Sequence, residues 1–321
     1  MQFGRMPHSA GNIRINRFPL HSGHRPLLSD SDWFSLPAGP YRLHPLLPCC
    51  PPKDPPMRAT VCELPHLPAL LDPAWAALCA HTRAERSELV LLPEFAFIEP
   101  VWETLPMDPA RWDAAVALSD AWQQRLHELG ADCVAGARPV TVGGRRFNEG
   151  FAWSLQGGYV PLRRKFHLPD EPGGWEAHWF ERGDAAFPRF DAGPLAFGLN
   201  ICSELWALET YGDYAAQGGV QAILSPRATA AATTAKWLAV GTVAAVRTGA
   251  FSLSSNRVDA AAGTYGGAGW VISPDGVLLA RTTPEQPFCT VDVDLQAVTD
   301  AQATYPRYVF SATQVQPPTQ A

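Results

Sequence analysis

The sequence has no apolar run approaching the ~18 to 20 uninterrupted residues that a membrane helix requires, and no apolar core of a secretory signal near its N-terminus. A bilayer-spanning helix and a secretory leader are therefore not expected. The cysteines, at positions 49, 50, 62, 79, 133, 202 and 289, are odd in number and dispersed. They fit neither a disulfide framework nor a paired CxxC zinc pattern. Positive charge is not in excess: the net charge is −6 and the Lys and Arg residues are scattered. That speaks against the basic footprint of a protein bound to nucleic acid or an anionic membrane. No Gly-rich loop of the Rossmann or P-loop kind lies between a strand and a helix, because the glycines of "GTYGGAGW" lead into a strand. No repeat recurs at a fixed period. These absences predict a protein of the reducing cytoplasm, with a small molecule as its partner and without a metal or cofactor.

What is present divides the 321 residues into three parts. Residues 1–56 end in "LLPCCPPKDPP" and carry no sustained helix or strand period, so they are predicted to be a disordered extension. Residues 57–310 form the folded domain, and residues 311–321 a C-terminal tail. Met57 opens the first strand-like run, "MRATVCELP". An internal translation start there competes with a transit segment upstream, and N-terminal sequencing of the native protein decides between them.

From Met57 onward, apolar runs alternate with helical patterns, the signature of an α/β domain. "RATVCEL" and "ELVLLPE" read as strands, separated by the helix "DPAWAALCAHTRAE" with Asp72 as its cap and Pro73 in its first turn. The clearest helix starts at "DPARWDAAVALSDAW", with Asp108 as cap, Pro109 behind it and Gly130 at the exit. "ADCVAGARPV" follows as a strand, and Gly157 and Gly158 mark a hairpin between two more. "PLAFGLNIC", "VQAILSP" and "FSLSSN" are further strands, with the helix "TTAKWLAVGTVAAVRTGA" before the last. "GAGWVISPDGVLLAR" and "FCTVDVDL" close the domain, the former around a Pro-Asp-Gly turn.

Three polar residues stand where apolar strands end: Glu94 after "ELVLLP", Lys165 after "GYVPLRR" and Cys202 after "LAFGLNI". Catalytic and ligand groups of α/β sheets gather at the carboxyl ends of strands, so the three are able to converge. Each alone has an ordinary structural explanation: a solvated loop acid, a surface lysine, a small core hydrophobe. Together they supply a nucleophile, a base and a cation. A thiol with a pKa near ~8.5 is only slightly ionised at neutral pH and needs such company to attack efficiently.

These residues and their contexts, "LLPEFAF", "RRKFHLPD" and "NICSELWALE", resemble the nitrilase superfamily of carbon–nitrogen hydrolases, which carries a Glu–Lys–Cys triad in that chain order. The resemblance extends from about residue 57 to 310 and includes "SSNR" and "GGAGWVISPDG". It implies a four-layer α-β-β-α sandwich that assembles into homo-oligomers, dimers or larger. It also implies that Glu94 takes the thiol proton, that Cys202 attacks an amide or nitrile carbon to give a thioester, and that Lys165 stabilises the developing negative charge. The backbone N–H of Ser203 is the expected second donor to that oxyanion, an effect worth ~3 kcal/mol in other enzymes. Within "PDEPGGWEAHWFERGD", Glu176 matches the acid that accompanies the triad better than Glu171 does, and its implied role is to position Lys165 and substrate.

His167 suggests a Cys–His pair, but Cys202 lacks the glycine-flanked elbow such enzymes use, and His167 is assigned a structural role. The chain departs from the family where Phe-Pro-Glu often follows the nucleophile, having Ala207-Leu208-Glu209, and has Cys-Ser-Glu where nitrilases tend to have Cys-Trp-Glu. Both departures place amide or N-carbamoyl hydrolysis ahead of nitrile hydrolysis. Acyl transfer to an amine and a non-catalytic binding protein on the same fold are the alternatives. Arg227, in "ILSPRAT", is expected just past its strand, facing the pocket and offering a planar fork to a substrate carboxylate or carbamoyl oxygen.

Overall fold

The computed structural model describes residues 56–259 and 263–310. The proline-rich extension, apart from Pro56, and the tail from residue 311 lie outside the described residues. The strands, in chain order, are β1 (Met57–Pro65), β2 (Leu89–Glu94), β3 (Cys133–Val142), β4 (Arg145–Ser154), β5 (Gly158–Arg164), β6 (Phe190–Ala192), β7 (Leu195–Leu199), β8 (Ala222–Arg227), β9 (Phe251–Val258), β10 (Trp270–Ile272), β11 (Leu278–Arg281) and β12 (Phe288–Val293). The helices are α1 (Leu71–Glu85), α2 (Pro109–Gln123), α3 (Glu176–Trp179), α4 (Thr210–Ala216), α5 (Thr234–Thr248) and α6 (Leu295–Gln302).

The strands form two sheets because β1 changes partner along its length. Through Val61 it runs parallel to β2 and antiparallel to β12, whereas Glu63 to Pro65 run parallel to β9. The first sheet continues from β2 through β3 and β4 to β5. The second runs from β9 through β8 and β7 to β6, with β10 and β11 also attached at β9.

Strand alternation then sorts the side chains into layers. Ala59 and Val61 of β1, Leu91 of β2, Leu199 of β7 and Leu224 of β8 fill the space between the sheets. The opposite face of the first sheet, including Cys62, Val90 and Val134, packs under α1 and α2 through Trp75, Leu78 and Trp122. The opposite face of the second, including Ile223 and Trp270, packs under α4 and α5 through Tyr211, Tyr214, Val240 and Ala244. Helix, sheet, sheet and helix are the four layers of an α-β-β-α sandwich, as expected.

Local signals hold where the cap is made by the chain itself. Asp108 caps α2, its carboxylate accepting from the N–H groups of Ala110 at 2.9 Å and Arg111 at 3.4 Å. Asp72 is not the cap of α1. A 3-10 turn at Pro68–Leu70 leads straight into the helix, so Asp72 falls in the first turn and pairs with Arg125 at 2.7 Å. Gly130 caps a separate 3-10 turn, Leu126–Leu129, and not α2 itself. The hairpins β4–β5 and β10–β11 form where Gly158 and the Pro-Asp-Gly sequence marked them.

Gly198, inside β7, has a packing reason. A Cβ there would lie 2.4 Å from the ring of Tyr214, which covers the strand and donates its hydroxyl to Asn200 Oδ1 at 2.9 Å. Gly198→Ala is expected to lower stability by about 1–3 kcal/mol through overpacking. Thermal unfolding checks this, and an unchanged midpoint would show that the ring moves aside without cost.

Candidate active site

The fold directs several strand ends to one edge. β2, β8, β9 and β7 are joined through parallel pairings, and β5 regains the direction of β2 after two antiparallel reversals. Glu94 ends β2, Lys165 follows β5 directly, and Cys202 follows β7 after a short extension. That extension continues the ladder, since Asn200 N–H donates to Leu224 O at 3.0 Å. The first sheet thus contributes the acid and the cation, and the second contributes the thiol.

Lys165 is 0% exposed. Its backbone N–H donates to Asn148 O at 2.8 Å and its carbonyl accepts from Gly183 N–H at 2.9 Å, which fixes the stem. Its ammonium lies 2.8 Å from Glu94 Oε1, and 2.9 and 2.8 Å from the two oxygens of Glu176, the first residue of α3. Asn148, on β4, donates its Nδ2 to the same Glu94 Oε1 at 2.8 Å. Oε1 therefore carries two donors, whereas the buried Oε2 has no hydrogen-bond partner among the described residues.

Burial alone would drive the Lys165 ammonium toward neutrality, but Glu176 and Glu94 outweigh it and hold the pKa above the ordinary lysine value. Glu176 is pushed upward by burial, against the pull of Lys165. Burial also raises the Cys202 thiol well above the usual range, assisted by Glu94 and Glu176. Lys165 and the Ala228 backbone N–H act the other way. The resting site thus favours a neutral thiol beside a paired ammonium, so proton removal has to accompany attack.

Cys202 itself sits at φ +48°, in the left-handed region, where a non-glycine residue is uncommon. The neighbour that stabilises this bend is Glu204. Its carboxylate forms a fork-to-fork pair with Arg163, with one bond to Nη2 at 2.9 Å, and accepts the N–H groups of Phe166 at 2.7 Å and Ile201 at 3.0 Å. One side chain therefore ties the residue before Cys202 to the residue after Lys165. Sequence reasoning assigned no role to Asn148, Arg163 or Glu204. The available signal was a charge two residues past the thiol in a mostly apolar stretch, and a run of three cations at and just past the end of β5, of which only Arg164 can point away.

Arg257, in "SSNR", has a comparable task on the other side. Fully buried, it donates to the carbonyls of Phe95 at 2.6 Å, His66 at 2.8 Å and Ile98. Phe95, directly after Glu94, is also left-handed at φ +48°. The guanidinium thereby holds the turn that follows the acid.

Ser203 donates its hydroxyl to His167 O at 2.6 Å, and its backbone N–H lies in the first turn of the 3-10 helix Cys202–Trp206. His167 stacks on Phe187 with ring centroids 6.1 Å apart and approaches Glu209 at 4.0 Å, in keeping with a structural role. Arg227 is not past its strand but is the last residue of β8, and it is 1% exposed. Alternation puts it on the helix-facing side with Ile223, against the ring of Trp270 at 4.1 Å. The fork expected to face the pocket is therefore inside the wall. Among the described residues no three His, Cys, Asp or Glu side chains converge as a metal site, and no helix is long and apolar enough to cross a membrane.

A carboxylate, an ammonium and a thiol thus stand at neighbouring strand ends of a four-layer sandwich. The carbon-nitrogen hydrolase family model matches residues 61–303, and the chain belongs to that family. No curated protein matches the sequence. Solved structures with the same fold include a carbon-nitrogen hydrolase from Helicobacter pylori G27, 19% identical, covering 79% of this chain and 94% of that one at a TM-score of 0.68. An amidase from Nesterenkonia sp. is 20% identical, covering 77% and 93% at a TM-score of 0.63. A CN-hydrolase superfamily protein from Xanthomonas campestris is 17% identical, covering 82% and 99% at a TM-score of 0.64. A Glu-to-Gln variant of the Nesterenkonia amidase carries the acetamide moiety of fluoroacetamide covalently on its active-site cysteine.

Proposed function

We propose that this carbon-nitrogen hydrolase is a cysteine-dependent amidase acting on a small amide or N-carbamoyl substrate through a thioester. The observation that carries the reading is the division of labour on Glu94: Oε1 is occupied by Lys165 and Asn148, whereas Oε2 is buried with no hydrogen-bond partner among the described residues, and the charge of Glu94 acts on the Cys202 thiol. A carboxylate held by one oxygen and free at the other is a positioned general base.

In this mechanism Glu94 Oε2 accepts the Sγ proton as Cys202 Sγ bonds to the carbonyl carbon. Charge developing on the carbonyl oxygen is met by Lys165 Nζ and the Ser203 N–H. The C–N bond then breaks as the proton on Glu94 passes to the leaving nitrogen, releasing ammonia or an amine. Water next attacks the thioester while Glu94 takes its proton. The acid leaves, and the proton returns to Sγ. Glu176 keeps the Lys165 ammonium in place and ionised throughout. The cysteine adduct on the Nesterenkonia amidase, a relative of the same fold, supports covalent chemistry at the corresponding thiol.

Primary amides, N-carbamoyl amines and nitriles, assayed by ammonia release and intact mass, test the reading. Turnover of amides or carbamoyl compounds is expected. Turnover of nitriles alone would redirect it to nitrile hydrolysis, a persistent Cys202 adduct without release would favour acyl transfer, and no adduct with any substrate would favour a binding protein. Glu94→Gln is expected to lower kcat by about 10²- to 10⁴-fold and to slow alkylation of Cys202 at neutral pH. Unchanged alkylation would assign the base elsewhere.

A further inference from the structure

Arg227 is a buried cation to which the chemistry above gives no task. Among the described residues no carboxylate lies within ion-pair distance of it, and burial brings its pKa down to about 9. A guanidinium is costly to bury in this way unless its donors are used. Here each nitrogen is used: Nε donates to Ser254 Oγ at 2.7 Å, Nη1 to Thr229 Oγ1 at 2.7 Å and Nη2 to Ala268 O at 2.9 Å. The ring of Trp270 covers one face, and Gly241 of α5 lets the helix approach that ring, since a Cβ there would meet it at 2.7 Å.

The bond to Thr229 reaches the site. Thr229 is held a second time by Asn256, whose Oδ1 accepts its N–H at 2.9 Å and whose Nδ2 donates to its carbonyl at 3.1 Å. The parallel pairing of β7 with β8, in which Leu199 faces Leu224, is carried past the end of β7 by the Asn200 N–H bond to Leu224 O, and this brings the chain at Cys202 alongside the end of β8. Between Arg227 and Thr229 stands Ala228, whose backbone N–H favours the thiolate of Cys202. On the far side, Ala268 is left-handed at φ +54°; its carbonyl accepts from Arg227 and its N–H donates to Glu63 Oε1 at 2.7 Å. The carboxylate of Glu63 is thus one peptide away from Arg227, and Cys202 is the other group whose charge acts on the guanidinium. The charged groups acting on Cys202 are Glu94 from β2, Lys165 after β5, Glu176 from α3 and Arg227 from β8; those acting on Arg227 are Cys202 and Glu63.

We propose that Arg227 is a positioning residue that clamps the Ala228 N–H against the Cys202 sulfur and sets a second fixed positive charge behind it. The inference rests on Cys202 being the nucleophile of the proposed function. It gives the buried arginine a role in activating the thiol and not in selecting an acidic substrate.

The test is the rate of Cys202 alkylation by iodoacetamide across pH, with the modified peptide identified by mass, in the full-length protein and in Arg227→Met and Thr229→Val. At pH 8, Arg227→Met is expected to react about tenfold more slowly, with its profile displaced to higher pH, because a positive neighbour favours the thiolate. Thr229→Val, which keeps the charge but loses one tie, is expected to move the same way by about threefold. With an amide substrate, kcat of Arg227→Met should fall about tenfold while KM changes by less than about threefold. A folded Arg227→Met whose alkylation profile superimposes on that of the wild type overturns the proposal. If that variant does not fold, an unmoved profile in Thr229→Val overturns it. Selective loss of kcat/KM for an acidic substrate over a neutral one would also overturn it, since that is the mark of a ligand contact. Wild-type protein that alkylates at Cys202 yet turns over no carbon-nitrogen substrate would sink the amidase reading while leaving the alkylation comparison to decide the role of Arg227.

Discussion

Cys202→Ala is expected to fold and to have no measurable turnover. The substitution removes a single buried sulfur atom, and alanine at φ +48° is no more strained than cysteine, so a stability loss of about 1 kcal/mol is expected. The chemical loss is of another order. Without Sγ no thioester forms, and water would have to attack an unactivated amide unaided, so kcat should drop by more than about 10³-fold. Cys202→Ser should recover little, because a carboxylate such as Glu94 is a poor base for an alcohol. Ammonia release and thermal unfolding on the same preparations separate the two effects. Activity above a few per cent of wild type in clean Cys202→Ala protein would end the assignment of Cys202 as nucleophile.

Glu204→Ala should have the largest effect on stability, although Glu204 has no part in the proposed chemistry. Its carboxylate is fully buried and receives both Arg163 nitrogens and two backbone N–H groups. Removing it leaves the Arg163 guanidinium buried with its ion-pair partner gone, a loss of about 3–5 kcal/mol. The turn that carries Cys202 and the backbone beyond Lys165 lose their common anchor, so activity should fall as well. Arg163→Met combined with Glu204→Leu should recover part of the stability, because no buried charge is then left unpaired. Activity should not recover in that pair, since the N–H groups of Phe166 and Ile201 still lack their acceptor. Denaturant unfolding measures the first effect, and a loss below about 1 kcal/mol in Glu204→Ala would show that water reaches Arg163.

Positions where a single segment contains the whole explanation were legible. Asp108 caps α2 with its own side chain, Gly158 turns a hairpin, and "ELVLLP", "GYVPLRR" and "LAFGLNI" each end a strand at a polar residue. Asp72 was misread because Pro68–Leu70 start a 3-10 turn that feeds α1 from above, and no periodic signal marks a turn of three residues. Arg227 was misread by one step: the strand runs through it, and a period of two then sends the side chain to the opposite side from the one expected. Arg163 looked like a surface cation among neighbours of like charge, because its partner lies 41 residues away in the other sheet.

Although the short elements α3, β6, α4 and α6 carried no readable period, the sequence by itself determined the α/β class, the three long helices and the strands other than β6, the strand ends that carry Glu94, Lys165 and Cys202, and, through its motifs, the family. Those are properties of local period and of residue type, which short segments contain whole. The division of β1 between two sheets, the pairing of Glu204 with Arg163, the sharing of Glu94 Oε1 by Lys165 and Asn148, and the enclosure of Arg227 under Trp270 were decided only in the tertiary structure. Each depends on strand register and on which face of one sheet meets the other, and a one-residue shift in register would exchange every inward side chain for an outward one.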